Sequence, residues 1–236
     1  MTRTANIDLP LVQAAQAQKH VTVNEAFALL DAAAQLVLAS VTQTVPPAEA
    51  ADGTVFHVPP GAVDAWVGQA GRVAVFSNGG WVFVAPRAGW RGWISDTGTT
   101  ALFDGAVWQP QAVAVSAHGA ASLMEVIEAD IDLQSGPELT SPDLIPVGCV
   151  VLGISGIVTE AIGGTLSGWR VGVPGGSGRY GTGLGLSLGS WVQGVTGQPQ
   201  AYYSQTPLLI EAEGGSFSGG RVRLAVHLFR MTLPRV

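Results

Sequence analysis

Arg72-Val-Ala-Val-Phe-Ser-Asn-Gly-Gly-Trp-Val-Phe-Val84 is the stretch that decides the fold class of this chain. Apolar, strand-favouring residues alternate on both sides of a turn at Ser77-Asn-Gly-Gly80, and Asn-Gly between two such runs is the strongest short-range hairpin signal. A similar unit recurs as Ala101-Leu-Phe-Asp-Gly-Ala-Val-Trp108, with Asp104-Gly105 at the turn. Both units read Phe, turn glycine, Trp. They form a weak internal repeat of hairpins, with too few copies for a propeller. Residues 48–110 hold five of the seven tryptophans, at 66, 81, 90, 93 and 108, and are read as a small Trp-rich β-hairpin domain.

Beyond a Pro-, Ala- and Val-rich connection, residues 122–236 offer strands at Met124 to Leu133, Val147 to Ala161, Trp169 to Val173, Gln200 to Ser204, Leu208 to Ala212 and Arg221 to Leu233. Twenty of the 32 glycines fall between 148 and 220. Short strands separated by glycine turns predict an antiparallel β-sandwich of jelly-roll type. Within it, Gly176 to Gly189 reads as a long flexible loop.

On the other side, residues 1–45 form an N-terminal attachment segment. Thr22 and Glu25 have the spacing of a capping box, so a helix is predicted from Thr22 to about Ala39. Val23, Phe27, Leu30, Ala34, Val37 and Leu38 would share its docking face. Pro46 and Pro47 end it. The fold expected is thus mainly β, with one leading helical segment.

Composition narrows the function. Charged residues are 12% of the chain against a hydrophobic share of 47%, which disfavours disorder. A net charge of −6 with scattered basic residues argues against nucleic acid, whose affinity comes from clustered Lys and Arg. The longest apolar run, Ile145 to Val158, is too short and too rich in glycine and β-branched residues for a spanning helix, so no membrane insertion is expected. The N-terminus lacks the pattern of a signal peptide, and Cys149 is the only cysteine. Both point to assembly in the cytoplasm. Low charge with much apolar residue predicts surfaces buried in a homo-oligomer.

No constellation reads as catalytic. Gly185-Leu-Ser187-Leu-Gly189 matches the nucleophile-elbow spacing but lacks the strand-to-helix context that strains the serine. His20, His57, His118 and His227 have no partners at metal-ligand spacing, so neither metal nor cofactor is expected. His20 would sit just before the helix cap. Glu128, Asp130 and Asp132 share one strand face and read, with Glu125, as a solvated cluster. The tryptophans are core by default, yet Trp90 and Trp93, beside Arg87 and Arg91, are the rings best placed for contact with a glycan. Such a site would need many copies acting together.

Two stretches resemble a known family. Gln16-Ala-Gln-Lys-His-Val-Thr-Val-Asn-Glu25, continuing through Leu30-Asp31 to Phe103-Asp-Gly-Ala-Val-Trp108, is similar to a phage-associated family found in alphaproteobacterial prophages and gene transfer agents. Leu144-Ile-Pro146, Val158 to Ile162, Arg179-Tyr180 and Gly214 to His227 resemble its C-terminal β domain. The resemblance implies a virion structural protein without catalytic residues: the base of a head spike, seating a spike fibre protein on the capsid protein and supporting attachment to the recipient cell surface. A capsid vertex implies a pentamer, and a fibre-like module a trimer. The alternative is a carbohydrate-binding module or tail-fibre protein that grips capsular polysaccharide itself. Gln16, Gln18, Lys19, His20, Asn24 and Glu25 are the residues expected to contact the particle, and Lys19 is the chain's only lysine.

Overall fold

The computed structural model describes residues 3–12 and 19–236, with Lys19 and His20 described in backbone only. The chain is mainly β and divides into two compact units, Met1–Ala121 with Pro234–Val236, and Ser122–Leu233. Among the described residues no helix is long and apolar enough to cross a membrane.

The first unit contains α1 (Lys19–Ala34), β1 (Val37–Leu38), β2 (Val55–His57), a single 3-10 turn at Asp64–Trp66, β3 (Val73–Ser77), β4 (Gly80–Val84), β5 (Arg91–Ile94), β6 (Thr99–Phe103), β7 (Trp108–Pro110) and β8 (Ala112–Val115). Two sheets form, with orders β2-β3-β4 and β1-β5-β6-β7. The Asn-Gly hairpin is as expected: Asn78 and Gly79 both take positive φ, and β3 pairs antiparallel with β4. In both hairpins the repeated Phe stands directly opposite the repeated Trp, Phe76 against Trp81 and Phe103 against Trp108, with ring centroids 5.0 and 5.2 Å apart.

The helix departs from the sequence reading in three ways. It includes Lys19 and His20, so Thr22 lies inside it and the capping box is not formed. It stops at Ala34, well before the prolines, because Val37 and Leu38 pair in parallel with Trp93 and Ile94 of β5. Its packed side is also rotated from the expected one. Of the expected face, Phe27 is half-buried and Leu38, beyond the helix, is buried, but Val23, Leu30 and Ala34 face solvent, whereas Asp31 and Ala32 are buried and Asn24 and Ala28 are half-buried. Apolar spacing alone proposed the wrong stripe, since the donors that Asp31 and Asn24 satisfy choose the face.

Ala32, Leu36 and Leu38 enter the same core as Val55, Val73, Val75, Ile94, Phe103 and Trp108. The N-terminal segment and the hairpins, set apart above, therefore share one core. Ala74 and Phe56 turn to a second cluster around Trp66, where the Trp66 ring lies 5.2 Å from both Phe56 and Trp81. With a core on each face, β3 is buried at Val73, Ala74 and Val75 alike. Aromatic pairs of this kind contribute about 0.5–1.5 kcal/mol each beyond the area they bury.

The second unit has eight strands: β9 (Ala121–Asp132), β10 (Glu138–Thr140), β11 (Cys149–Gly164), β12 (Gly168–Val173), β13 (Gly176–Leu184), β14 (Trp191–Tyr202), β15 (Leu209–Glu213) and β16 (Phe217–Met231). They pair in the orders β14-β11-β16-β9 and β10-β15-β12-β13. Counted from the first strand of the unit, these are 6-3-8-1 and 2-7-4-5, the interleaving of a jelly roll. Inward residues of both sheets, among them Ile154, Trp169, Ile210, Leu224 and Leu228, fill one core.

The stretch 176–189 read as a flexible loop is instead strand β13 followed by a turn at 187–189. Glycines on β12 and β14 show how closely it is approached. A Cβ at Gly194 would run into the Tyr180 carbonyl, and one at Gly172 into the Gly176 carbonyl. Only glycine lets these backbones approach, and its frequency disguises a strand as a loop.

Candidate functional site

Of the residues expected to contact a particle, Gln16 and Gln18 lie outside the described residues, and Lys19 and His20 stand in the first turn of α1. His20 is thus part of the helix and does not precede a cap. Asn24 has a defined internal role: its Oδ1 accepts from the Val12 amide at 2.9 Å and its Nδ2 donates to the Val12 carbonyl at 3.0 Å. Glu25 lines a hollow of about 270 Å³ with Asp31 and Asp52.

Asp31 is the residue that sequence reasoning missed. Its carboxylate is buried, yet it accepts from Thr4 Oγ1 at 2.5 Å, the Ile7 amide at 2.7 Å and the Asn6 amide at 2.8 Å. Burial by itself disfavours the charged form, but these donors outweigh it and hold the carboxyl below its ordinary range. Residues 3–12 thereby form a strap fastened to the helix at Asp31 and Asn24. The strap passes over Gly53, whose φ is +86° and where a Cβ would lie 2.6 Å from that of Ala5. A lone Asp in an apolar helix was the available signal.

The proposed glycan pair does not form one surface. Trp90 is half-buried in an apolar groove with Leu29, Leu36 and Val75. Trp93 is 44% exposed and lines a different hollow with Arg91, Val37 and Thr100. Arg87 and Arg91 are exposed. Trp66 and Trp108 are buried and Trp81 packs on the Trp66 cluster, so these rings are core.

A different aromatic stands on the outer face of the sheet β14-β11-β16-β9. Trp191 is 69% exposed and pairs with Ile157, which pairs with Arg223, which pairs with Asp130. The next row is Gln193, Ser155, Ala225 and Glu128, and the one after it Val195, Gly153, His227 and Val126. Ser155 Oγ and His227 Nε2 are 2.8 Å apart. This contact lies on a flat strand face with its backbone groups engaged in the ladder. It lacks the strained turn that exposes a nucleophile, and Ser187 lies in a turn with no helix after it.

The acidic residues of β9 divide. Asp130 and Asp132 are exposed and paired with Arg223 and Arg221, while Glu125 points inward, buried, with its carboxylate 2.7 Å from Arg230. His57 is buried between Phe103 and Trp108, and burial lowers its pKa.

Residues 23–109 match the family described as Protein of unknown function (DUF2793). That domain spans most of α1 and both hairpins, and it ends before the jelly roll. No curated protein matches the chain. Among solved structures, a chain of the cyanophage Pam1 capsid asymmetric unit is similar at 20% identity with a TM-score of 0.38, covering 50% of this chain and 92% of that one.

Proposed function

We propose that the protein is a structural component of a phage-like particle that acts by binding and not by catalysis, and that it serves as the base of a head spike of a gene transfer agent. The observation that carries this reading is the combination on one chain of a strapped helix-and-hairpin unit with a complete eight-stranded jelly roll. The first contains the motif residues Asn24, Asp31, Phe103 and Trp108, all with internal structural roles. The second is an architecture that capsid and lectin domains both use. Fold alone does not give function, so the weight rests on the motif and the fold together.

In this reading the protein is assembled in the cytoplasm and carried in the virion. Its partners are a capsid protein and a spike fibre protein, and it forms a pentamer at a capsid vertex. Exposed apolar residues such as Val126 and Val195 are what an associating surface needs. The test is to delete the gene in a producing strain and image the particles. Particles that lack a projection and its fibre, and regain both with the gene, support the proposal. Unchanged particles, with the protein absent from them in the parent strain, would overturn it, and the symmetry of the projection separates pentamer from trimer. A second reading, direct binding of surface polysaccharide, is favoured by one observation, the exposed Trp191.

A further inference from the structure

We infer that the outer face of the β14-β11-β16-β9 sheet carries a saccharide subsite centred on Trp191, Gln193, Ser155 and Glu128, built for a neutral pyranose. Two adjoining depressions lie there, of about 390 and 290 Å³, and they share Ser155 and Gln193. The first is within reach of the 300–1,000 Å³ typical of small-ligand sites. Its relief follows from the register. Small residues, Ser155 and Ala225, form the floor, while Trp191 and Ile157 rise on one side and Val195 and His227 on the other.

The side chains define the ligand chemistry. Trp191 offers a flat apolar ring to the C–H face of a sugar. The Gln193 side chain has no hydrogen bond among the described residues, so both its amide donors and its carbonyl are open to hydroxyls. Ser155 is already oriented by His227 at 2.8 Å. Arg223 is held by Asp130 through two bonds, Nε at 2.7 Å and Nη2 at 2.8 Å. β14 is the end strand of this sheet, but both depressions lie over the rows of its outer face and not along that end, so a ligand seated in them meets side chains. That favours a hydroxyl-rich ring over an added peptide strand, which would lie along the edge.

Charge sets the class. Glu128 and Asp130 share Arg223, with Glu128 3.7 Å from its Nε, and the nearby Arg221 is itself shared by Asp132 and Glu160, so four carboxylates meet two arginines. The local balance is acidic, so uronates and phosphates are disfavoured and neutral hexoses or N-acetylhexosamines fit. One ring on one such face binds weakly, with Kd on the order of 1 mM. Several copies on one particle would raise the avidity by roughly 10²- to 10⁴-fold. The inference rests on this geometry and not on the position of the protein on a particle.

The experiment titrates the full chain with maltohexaose, chitotriose and oligogalacturonate, following tryptophan fluorescence and saturation-transfer NMR, with light scattering to report the oligomer. A neutral oligosaccharide should bind at about 1 mM or tighter. Trp191→Ala should weaken it at least tenfold, Trp191→Phe should keep part of it, and Trp93→Ala should leave it unchanged. Glu128→Gln should narrow the gap to oligogalacturonate. Because Trp191 is exposed, its loss should not unfold the chain. The inference is overturned by the absence of binding to either neutral probe, or by loss of binding in Trp93→Ala with retention in Trp191→Ala. It is equally overturned if Trp191→Ala breaks up the oligomer without changing saccharide binding, which makes the face a contact between copies. A chain that binds no sugar but is still found in the spike would sink this inference alone, and binding by a chain absent from particles would sink only the particle reading.

Discussion

In the helix-and-hairpin unit, Asp31 and Asp104 each gather donors from segments far apart in sequence, whereas in the jelly roll Asp130 and Asp132 meet arginines straight across a strand pair. Asp104 accepts from the amides of Ala106 and Val107 at 2.9 and 3.0 Å, from Gln109 at 2.9 Å and from Arg235, 131 residues away, at 2.6 Å. Its side chain is fully buried, and those of Asp130 and Asp132 are not. Short strands of two to five residues provide few ladder bonds, so the first unit relies on carboxylates as fasteners. The long strands of the second, up to 16 residues, hold themselves, and apart from the buried Glu125 paired with Arg230 the acidic residues of β9 decorate a finished sheet. The same ion-pair chemistry therefore carries different weight in the two units.

Removing a fastener should expose that difference most strongly. Asp104→Ala removes a buried carboxylate and with it the acceptor of four bonds, from the Ala106 and Val107 amides, Gln109 and Arg235, and is expected to cost about 2–3 kcal/mol. Urea denaturation should show it as a lower midpoint for the first unit with the jelly-roll transition in place. A shift of both transitions, or of neither, would break the comparison. Asp31→Asn keeps the volume but weakens three charge-assisted bonds, and about 2 kcal/mol is expected. Here the sharper readout is limited proteolysis, which should cut within residues 3–12 of the variant well before it cuts the parent chain.

Acid should act on the same two groups. Burial opposes the charge of both, and the hydrogen bonds, with Arg235 foremost for Asp104, hold both carboxyls below the ordinary value of about 3.9. A depressed folded-state pKa gives stability that is complete above the unfolded value and is lost as pH falls through it toward the native one. The first unit should therefore melt progressively lower below about pH 4, and the Asp31→Asn, Asp104→Asn double variant should show a smaller slope. An equal slope in the double variant would assign the acid response elsewhere.

Much of this arrangement was legible in the sequence, for physical reasons. Asn78-Gly79 takes positive φ at both positions, so the hairpin is a local event, and the Phe-to-Trp spacing carried through to the paired rings. Strands β9, β11, β12 and β16 declared themselves by apolar content. What stayed hidden depends on partners distant in the chain. The helix face is set by Thr4, Asn6 and Ile7, and the close approach of β13 is seen only in the space it denies a Cβ at Gly172 of β12 and Gly194 of β14. Trp191 was overlooked for the related reason that glycines on both sides of it broke the strand pattern, leaving the aromatic cluster at 81–93 to attract the glycan reading.

The smallest expected effect lies on the jelly-roll surface and is as informative as the largest. Arg221 contacts Asp132 at 2.5 Å and Glu160 at 2.8 Å, bridging three strands, and its geometry matches that of any fastener in the first unit. All three side chains are substantially exposed, so water and salt already solvate the charges and fixing the long arginine costs side-chain entropy. Arg221→Ala should leave the denaturation midpoint unresolved from that of the parent chain, and a double-mutant cycle with Asp132→Ala should give a coupling that disappears on raising the salt from about 0.1 M to 1 M. A coupling that survives high salt would mean that this face is desolvated in solution, covered by another molecule. In that case the contrast between fasteners and decoration would describe the isolated chain and not its assembled form.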